Sequence, residues 1–243
     1  MSEKKNIFVG CSGYFYWSWK GKFYPEDMKP SQWFKFYAKY FNTVEINSTF
    51  YRFPTRNSLR KWYRDSPENF KFAVKVNREI THLHRLKNIK DRLKEFYDIV
   101  DETLKEKVGV FLFQMPPSFK YSEENLHRIV ENLDPSRRNV VEFRHNSWWR
   151  EEVFEAFEKN NITFCSISAP DFEDQLVQTS SLIYIRFHGK NAWYNHLYSK
   201  EELKWWWNQV REKNFQQLYI YFNNDTNAYA PRNALEMIEI INQ

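Results

Sequence analysis

The chain has 243 residues, of which 42% are hydrophobic and 19% aromatic, with ten Trp and a formal net charge of +5. This length suits one domain, since α/β barrels occupy roughly 200–250 residues as a single core. No stretch approaches the roughly 20 apolar residues of a membrane span, and the two cysteines, Cys11 and Cys165, lie far apart in apolar runs, which excludes a disulfide framework and marks them as reduced core residues.

The start, Met1 to Asn6, is charged and no apolar signal region follows it, so the expected compartment is the cytoplasm. A basic balance favours small anionic ligands or nucleic acid as partners and says nothing about fold. Neither a membrane nor an obligate protein partner is indicated.

Short β-branched or aromatic runs alternate with charged amphipathic stretches, without a Ser/Gly-rich linker, so residues 1–243 are read as one domain. In chain order, strand Ile7–Ser12 is followed by helix Ser31–Tyr40, and strand Thr43–Ser48 by helix Asn57–Asp65. Strand Lys71–Val76 leads to helix Ile89–Lys105, and strand Val108–Gln114 to helix Ser122–Asn132. Strand Asn139–His145 precedes helix Trp149–Lys159. Strand Ile162–Ser166 is followed by Ala169–Ser181, a Pro-containing segment of poor periodicity, so the sixth helix is expected to be rudimentary. Strand Leu182–His188 leads to helix Ser199–Lys213, and strand Leu218–Asn223 to helix Arg232–Asn242.

Ser31, Ser122 and Ser199 stand where helix caps are expected, and the last two are followed by acids that suit a helix amino terminus. Pro30 and Pro231 are read just outside helix starts. Eight strand–helix units close into an α/β (β/α)8 TIM-type barrel, which removes exposed sheet edges. An open doubly wound sheet is the competing architecture. It lacks support, because Gly10–Gly13 has the wrong spacing for a dinucleotide loop.

Strands covered by helices should be apolar on both faces. Here polar groups recur two residues apart at the strand ends, a spacing that puts both on one face. The pairs are Glu45 with Asn47, Lys75 with Asn77, Glu142 with Arg144, Arg186 with His188, and Tyr221 with Asn223; Gln114 ends the fourth strand. Buried charges need partners, because desolvation costs several kcal/mol per ion. The pattern therefore reads in two ways. One is a structural ion-pair cluster, with Glu45 and Glu142 taken up by Lys75, Arg144 and Arg186. The other is a ligand cavity at the carboxyl ends of the strands, where barrel sites are built. Lys75, Arg144 and Arg186, with Arg52 added, outnumber Glu45 and Glu142, and Arg forks match phosphate or carboxylate.

The loop Gly13–Tyr24 follows strand one and is rich in aromatics, among them Tyr14 and Trp17. It reads equally as a stacking surface for a base or sugar and as a packed lid. Trp205–Trp207 falls within a helix and reads as core plus an exposed edge. His82 and His84 lack the further ligands a zinc site needs. No metal ligand set is assigned; a divalent ion on Glu45, Glu142 and His188 is the alternative, opposed by the neighbouring cations. Asn223, Asn224 and Asp225 end strand eight, near where phosphate sites recur in such barrels.

Several segments carry a family resemblance. They are Gly10–Tyr14 with Trp17 and Gly21–Pro25, Val44–Arg52, Phe72–Lys75, Ile80–His82, Leu112–Pro117, Val141–His145 with Ser147 and Trp148, Tyr184–Gly189, and Tyr221–Asp225. In this order they resemble the YecE-like family of barrels, domain of unknown function 72, over nearly the whole chain. The resemblance implies a TIM-type barrel and a shared pocket, and supplies no reaction. The chain departs from the pattern at Ser166–Ser168, where similar sequences often carry Asp, and at Asn227, where a small residue is usual.

The functional expectation is hydrolysis of a phosphate-bearing substrate, such as a nucleotide or nucleic-acid end. Glu45 and Glu142 form the acid/base pair, Lys75, Arg144 and Arg186 bind the anion, and His188 is a second proton donor. Asn47, Arg52, His82, Gln114, Tyr221, Asn223, Asn224, Tyr14 and Trp17 contact the substrate. Two alternatives are a non-catalytic nucleotide or single-stranded nucleic-acid binder, and a sugar-phosphate isomerase or lyase.

Overall fold

A computed structural model describes residues 5–243 of the chain. The charged start read at Met1 to Asn6 thus falls, over residues 1–4, outside the described residues. The eight strands are β1 (Asn6–Cys11), β2 (Thr43–Ile46), β3 (Lys71–Lys75), β4 (Val108–Gln114), β5 (Asn139–Glu142), β6 (Thr163–Ser168), β7 (Leu182–Phe187) and β8 (Gln217–Phe222). They belong to one sheet in the order β1-β8-β7-β6-β5-β4-β3-β2, and the fold is an α/β, (β/α)8 TIM-type barrel. The helices are α1 (Trp33–Tyr37), α2 (Ser48–Tyr51), α3 (Arg56–Asp65), α4 (Lys90–Leu104), α5 (Glu123–Asn132), α6 (Glu151–Lys159), α7 (Lys200–Arg211) and α8 (Tyr229–Ile241). Where a rudimentary helix was expected between β6 and β7, none is formed among the described residues.

Local chemistry sets most of the boundaries. Ser122 accepts a hydrogen bond from Asn125 N (3.1 Å), and Ser199 forms a reciprocal capping box with Glu202. Ser31 caps nothing, because it lies inside a short 3-10 turn, Pro30–Gln32. The last helix starts earlier than its pattern suggested, at Tyr229, so Pro231 is its third residue and not outside it. A first-turn proline is tolerated because that amide has no intrahelical acceptor. Strand β2 ends early because Ser48–Tyr51 turns into a helix that the pattern did not show. Strand β5 likewise gives way to a 3-10 turn, Asn146–Trp148, after His145.

The chain divides into two compact units. The first comprises Met1–Glu45, Ser166–Leu176 and Ser181–Gln243. In it β8 lies between β1 and β7 in parallel register, and Ser12 bridges to Glu45. Gly10 makes the β1–β2 approach feasible, since a Cβ there would collide with the Thr43 carbonyl oxygen. The aromatic loop packs inward. Trp19, Tyr24 and Trp33 are buried, with Tyr24 stacked on Trp33 at 4.8 Å, while Phe15 and Trp17 stay exposed. Trp206 is buried and Trp205 exposed, matching the expected core-plus-edge helix face.

The second unit comprises Ile46–Cys165 and Val177–Ser180. Here β4 pairs with β3 and β5, and β5 pairs with β6. Trp148 is clamped between two parallel rings, Phe143 at 4.0 Å and Phe119 at 5.5 Å, and donates its indole N–H to Phe119 O (2.7 Å). Cys11 in the first unit and Cys165 in the second are buried free thiols. No described helix is long and apolar enough to cross a membrane.

One buried ammonium closes the end of α3. Lys107 donates to Tyr63 O (2.9 Å), Ser66 O (2.9 Å) and Ser66 Oγ (2.8 Å), so all three of its protons are placed at a helix carboxyl terminus. Lys107→Met keeps the stem and deletes these bonds. It should cost about 1–3 kcal/mol of unfolding free energy, read as a lower urea midpoint at unchanged m-value; an unchanged midpoint would show that the cap carries no stability.

Candidate functional site

In the first unit the polar side chains at the strand ends close on one carboxylate. Glu45 Oε1 accepts from Arg186 Nη2 (2.5 Å) and from the Ser12 hydroxyl, and Oε2 accepts from the Tyr184 hydroxyl (2.7 Å). Glu45 and His188 are fully buried and Arg186 is 1% exposed. Burial and the Glu45 charge push the Tyr184 hydroxyl well above its ordinary pKa, which keeps it protonated and donating. Arg186 Nη1 lies 3.5 Å from His188 Nε2, and Asn223 Nδ2 lies 3.0 Å from His188 Nδ1. The imidazole is therefore held from both sides.

Other side chains expected to meet a substrate point inward in this unit. The Tyr221 hydroxyl is buried against Thr43 Oγ1 (2.5 Å). Tyr14 lays its ring against Phe34 and Tyr37. Asn224 is fully buried, and its Nδ2 donates to His196 O (2.7 Å) and to Asn233 Oδ1 (2.9 Å), which tethers the loop after β7. Of the two loop aromatics expected to contact a substrate, Tyr14 is half-buried and Trp17 is 64% exposed.

The second unit is more open. Glu142, fully buried at the end of β5, pairs with the Arg144 guanidinium two residues on. Lys75 Nζ donates to Gln114 Oε1 (2.6 Å) and sits 4.2 Å from the Phe50 ring centroid. Edge-on to Phe50, at 4.8 Å, is His82, which lies on a π-helical turn, Glu79–Leu83. Such turns occur often at functional sites. Gln114, Arg144 and His82 are half-buried, and Arg52 is exposed beyond α2. Asn47 precedes α2 and is half-buried.

Cations dominate the surroundings of His82. Burial first, then Lys75, Arg78, Arg144 and Arg85, depress its pKa to about 4, so the ring is neutral at physiological pH. Its Nδ1 meets Thr81 Oγ1 at 2.9 Å, and Thr81 Oγ1 faces Asn77 O at 3.4 Å. A Thr81 hydroxyl donated to Asn77 makes Nδ1 the donor to Thr81 and leaves Nε2 as an acceptor.

Neither Arg78 nor Arg85 stood out from the sequence. Arg78 stands four residues before His82, one helical turn, which was a usable signal. Arg85 is directed by a left-handed residue (φ 49°), which the sequence does not announce. Tyr184 was also missed, although it extends the alternation of Arg186 and His188. Among the described residues, no group of three or more His, Cys, Asp or Glu forms a candidate metal site.

These features define a barrel protein that carries polar side chains at the carboxyl ends of its strands. Residues 8–243 match the family described as "Protein of unknown function DUF72", and the chain belongs to that family. It is 26% identical to UPF0759 protein YunF of Bacillus subtilis (strain 168), over 97% of this chain and 94% of that protein. It is 29% identical to UPF0759 protein YecE of Escherichia coli (strain K12), over 45% of this chain and 40% of that one. The crystal structure of a DUF72 family protein from Thermotoga maritima MSB8 superposes with a TM-score of 0.89, at 33% identity, covering 98% of this chain and 100% of that one. A DUF72 family protein from Enterococcus faecalis V583 shares the fold, with a TM-score of 0.83, at 20% identity, over 98% of this chain and 96% of that one.

Two measurements test the clusters. Arg186→Met removes the cation and leaves Glu45 buried, and should cost about 3–5 kcal/mol of stability by chemical denaturation; a cost below about 1 kcal/mol would mean that water already reaches the carboxylate. The depressed His82 pKa means that between pH 6.5 and about 4 the unfolded chain binds a proton that the folded chain refuses. Stability should therefore fall on acidification through that window, and His82→Gln should flatten that part of the curve relative to wild type.

Proposed function

We propose that this protein is an enzyme that binds a phosphate-bearing substrate on its second unit and hydrolyses it by acid/base chemistry. The observation that carries the reading is the set of cations whose charge acts on the half-buried, neutral His82 ring, Arg78 and Arg85 among them. Arg78 makes no side-chain hydrogen bond or ion pair among the described residues, and Arg85 makes one only to the Ser118 hydroxyl (3.1 Å). Guanidinium groups with few partners of their own match the oxygens of a phosphate.

In this reading Arg78, Arg85, Arg144 and Lys75 hold the anion and offset charge that develops on it. His82 Nε2, an acceptor on a neutral ring, takes a hydrogen bond from a protonated phosphate oxygen and orients the group. Glu142, aligned by Arg144, takes the proton of the attacking water as the water oxygen bonds to phosphorus and the bond from phosphorus to the leaving oxygen breaks. The leaving oxygen recovers its proton from solvent.

A second reading, binding without turnover, is favoured by one specific feature. The carboxylates already have partners: Glu45 accepts from Ser12, Arg186 and Tyr184, and Glu142 faces Arg144. Such carboxylates serve to position cations as readily as to move protons.

Calorimetric titration with inorganic phosphate, pyrophosphate and nucleoside monophosphates separates the readings. Arg78→Ala with Arg85→Ala should weaken phosphate binding at least tenfold, since a hydrogen bond to a charged group contributes about 1.5–3 kcal/mol. Glu142→Gln should abolish turnover and preserve affinity if the protein is an enzyme. Wild type that binds these anions but converts none of them would establish the binder. Absence of binding at millimolar phosphate would remove both.

A further inference from the structure

We infer that the anion site of the second unit continues into a neighbouring basic cleft and that its substrate is a single-stranded nucleic acid, not a mononucleotide. The inference rests on the phosphate reading above and extends it from one phosphate to a chain of them. Segment Arg78–Lys90 carries four cations, Arg78, Arg85, Lys87 and Lys90, against one carboxylate, Glu79. That carboxylate is taken by Arg92 (3.0 Å). The stretch thus presents a positive track that starts at the head of the π-helical turn and runs on past its end.

Arg85 joins the two ends of the track. Its side chain contributes to the positive field at His82, while its carbonyl accepts from Arg128 Nη1 (3.4 Å). Arg128 lines a surface cleft of about 600 Å³ together with Lys87, Lys90, Asn88 and Asn132. Two acids share the cleft, Asp91 and Glu124, and Glu124 is engaged by Arg128 and, at 4.0 Å, by Lys87. Lys90 has no ion-pair partner among the described residues. Leu86 is buried and holds the turn in place, donating its N–H to Ile80 O (3.0 Å), so the track has a fixed course although Arg85, Leu86 and Asn88 all adopt positive φ.

A mononucleotide engages cations at one place. Cations distributed along a segment, with amide side chains between them, match the repeated phosphates and base edges of a strand. At the His82 end, Tyr51 is 69% exposed on α2 beside Phe50, whose ring meets His82, and a base can stack on it.

Fluorescence anisotropy with a labelled oligothymidylate of about twelve nucleotides tests the extension, beside calorimetry with inorganic phosphate. Lys87→Ala with Lys90→Ala should weaken the oligonucleotide at least tenfold and change phosphate affinity less than twofold. The slope of log K against log salt for the oligonucleotide should become shallower by about 1.4, at about 0.7 for each phosphate that the two lysines neutralise. Both lysines are exposed, and an unchanged melting temperature verifies that the variant folds. Equal affinity of wild type and variant for the oligonucleotide would overturn the extension while leaving the phosphate site standing. A polyglutamate peptide that binds as tightly as the oligonucleotide, with the same sensitivity, would overturn it in favour of an acidic protein partner. Failure of wild type to bind phosphate would remove the extension together with the reading beneath it.

Discussion

A carboxylate taken out of water costs several kcal/mol unless cations and hydrogen-bond donors replace its hydration, and this chain buries two of them within its strands, Glu45 and Glu142. The two are compensated differently. Glu142 finds its cation two residues on, in Arg144 just beyond the end of β5. Glu45 has no such neighbour and gathers donors from the end of β1 and from β7, namely Ser12, Arg186 and Tyr184. Much of the polar chemistry of the first unit serves this one anion. Its His188 is pressed between Arg186 and Asn223, and its loop after β7 is tied down through Asn224 and Asn233.

That difference divides the chemistry of the molecule. The first unit spends its donors internally, and the groups concerned have little or no exposure. The second unit keeps Gln114, Arg144 and His82 half-buried, and the charges of Lys75, Arg78, Arg144 and Arg85 act on the His82 ring. Burial first, and then those cations, depress the His82 pKa. An incoming anion would reverse the sign of the field on the ring, so binding there is coupled to protonation.

How much of this was legible depended on whether a residue's role followed from local periodicity. All eight strands were, because helix-covered strands leave short β-branched and aromatic runs. The polar ends were too, since Lys75, Gln114, Glu142, Arg144, Arg186 and His188 interrupt apolar runs at a spacing of two. Tyr184 obeys the same spacing but escaped notice, because a tyrosine in a strand reads as core until its hydroxyl meets a carboxylate. Helix α2 and the π-helical turn were invisible: each is a single turn, too short for periodicity to register. Arg85 depended on a left-handed backbone at a non-glycine residue, which the sequence does not signal. Asn224 stands beside Asn223 in sequence yet faces a buried tether, a distinction that only its partners Asn233 and His196 reveal.

The helix-free passage from β6 to β7 has a practical side. Thr179 stands in for a ladder neighbour of β6, donating its hydroxyl to Ile162 O (2.7 Å) and accepting from Phe164 N (2.9 Å). The outward residues Asp171, Glu173 and Gln175 lie upstream of that anchor. With the start of β6 anchored by Thr179, the exposed positions of this stretch are the natural splice points. A reporter peptide grafted beside exposed Glu173 would leave the anchor at Thr179 in place, with the Asp174–Lys190 pair (3.1 Å) as the contact it must spare.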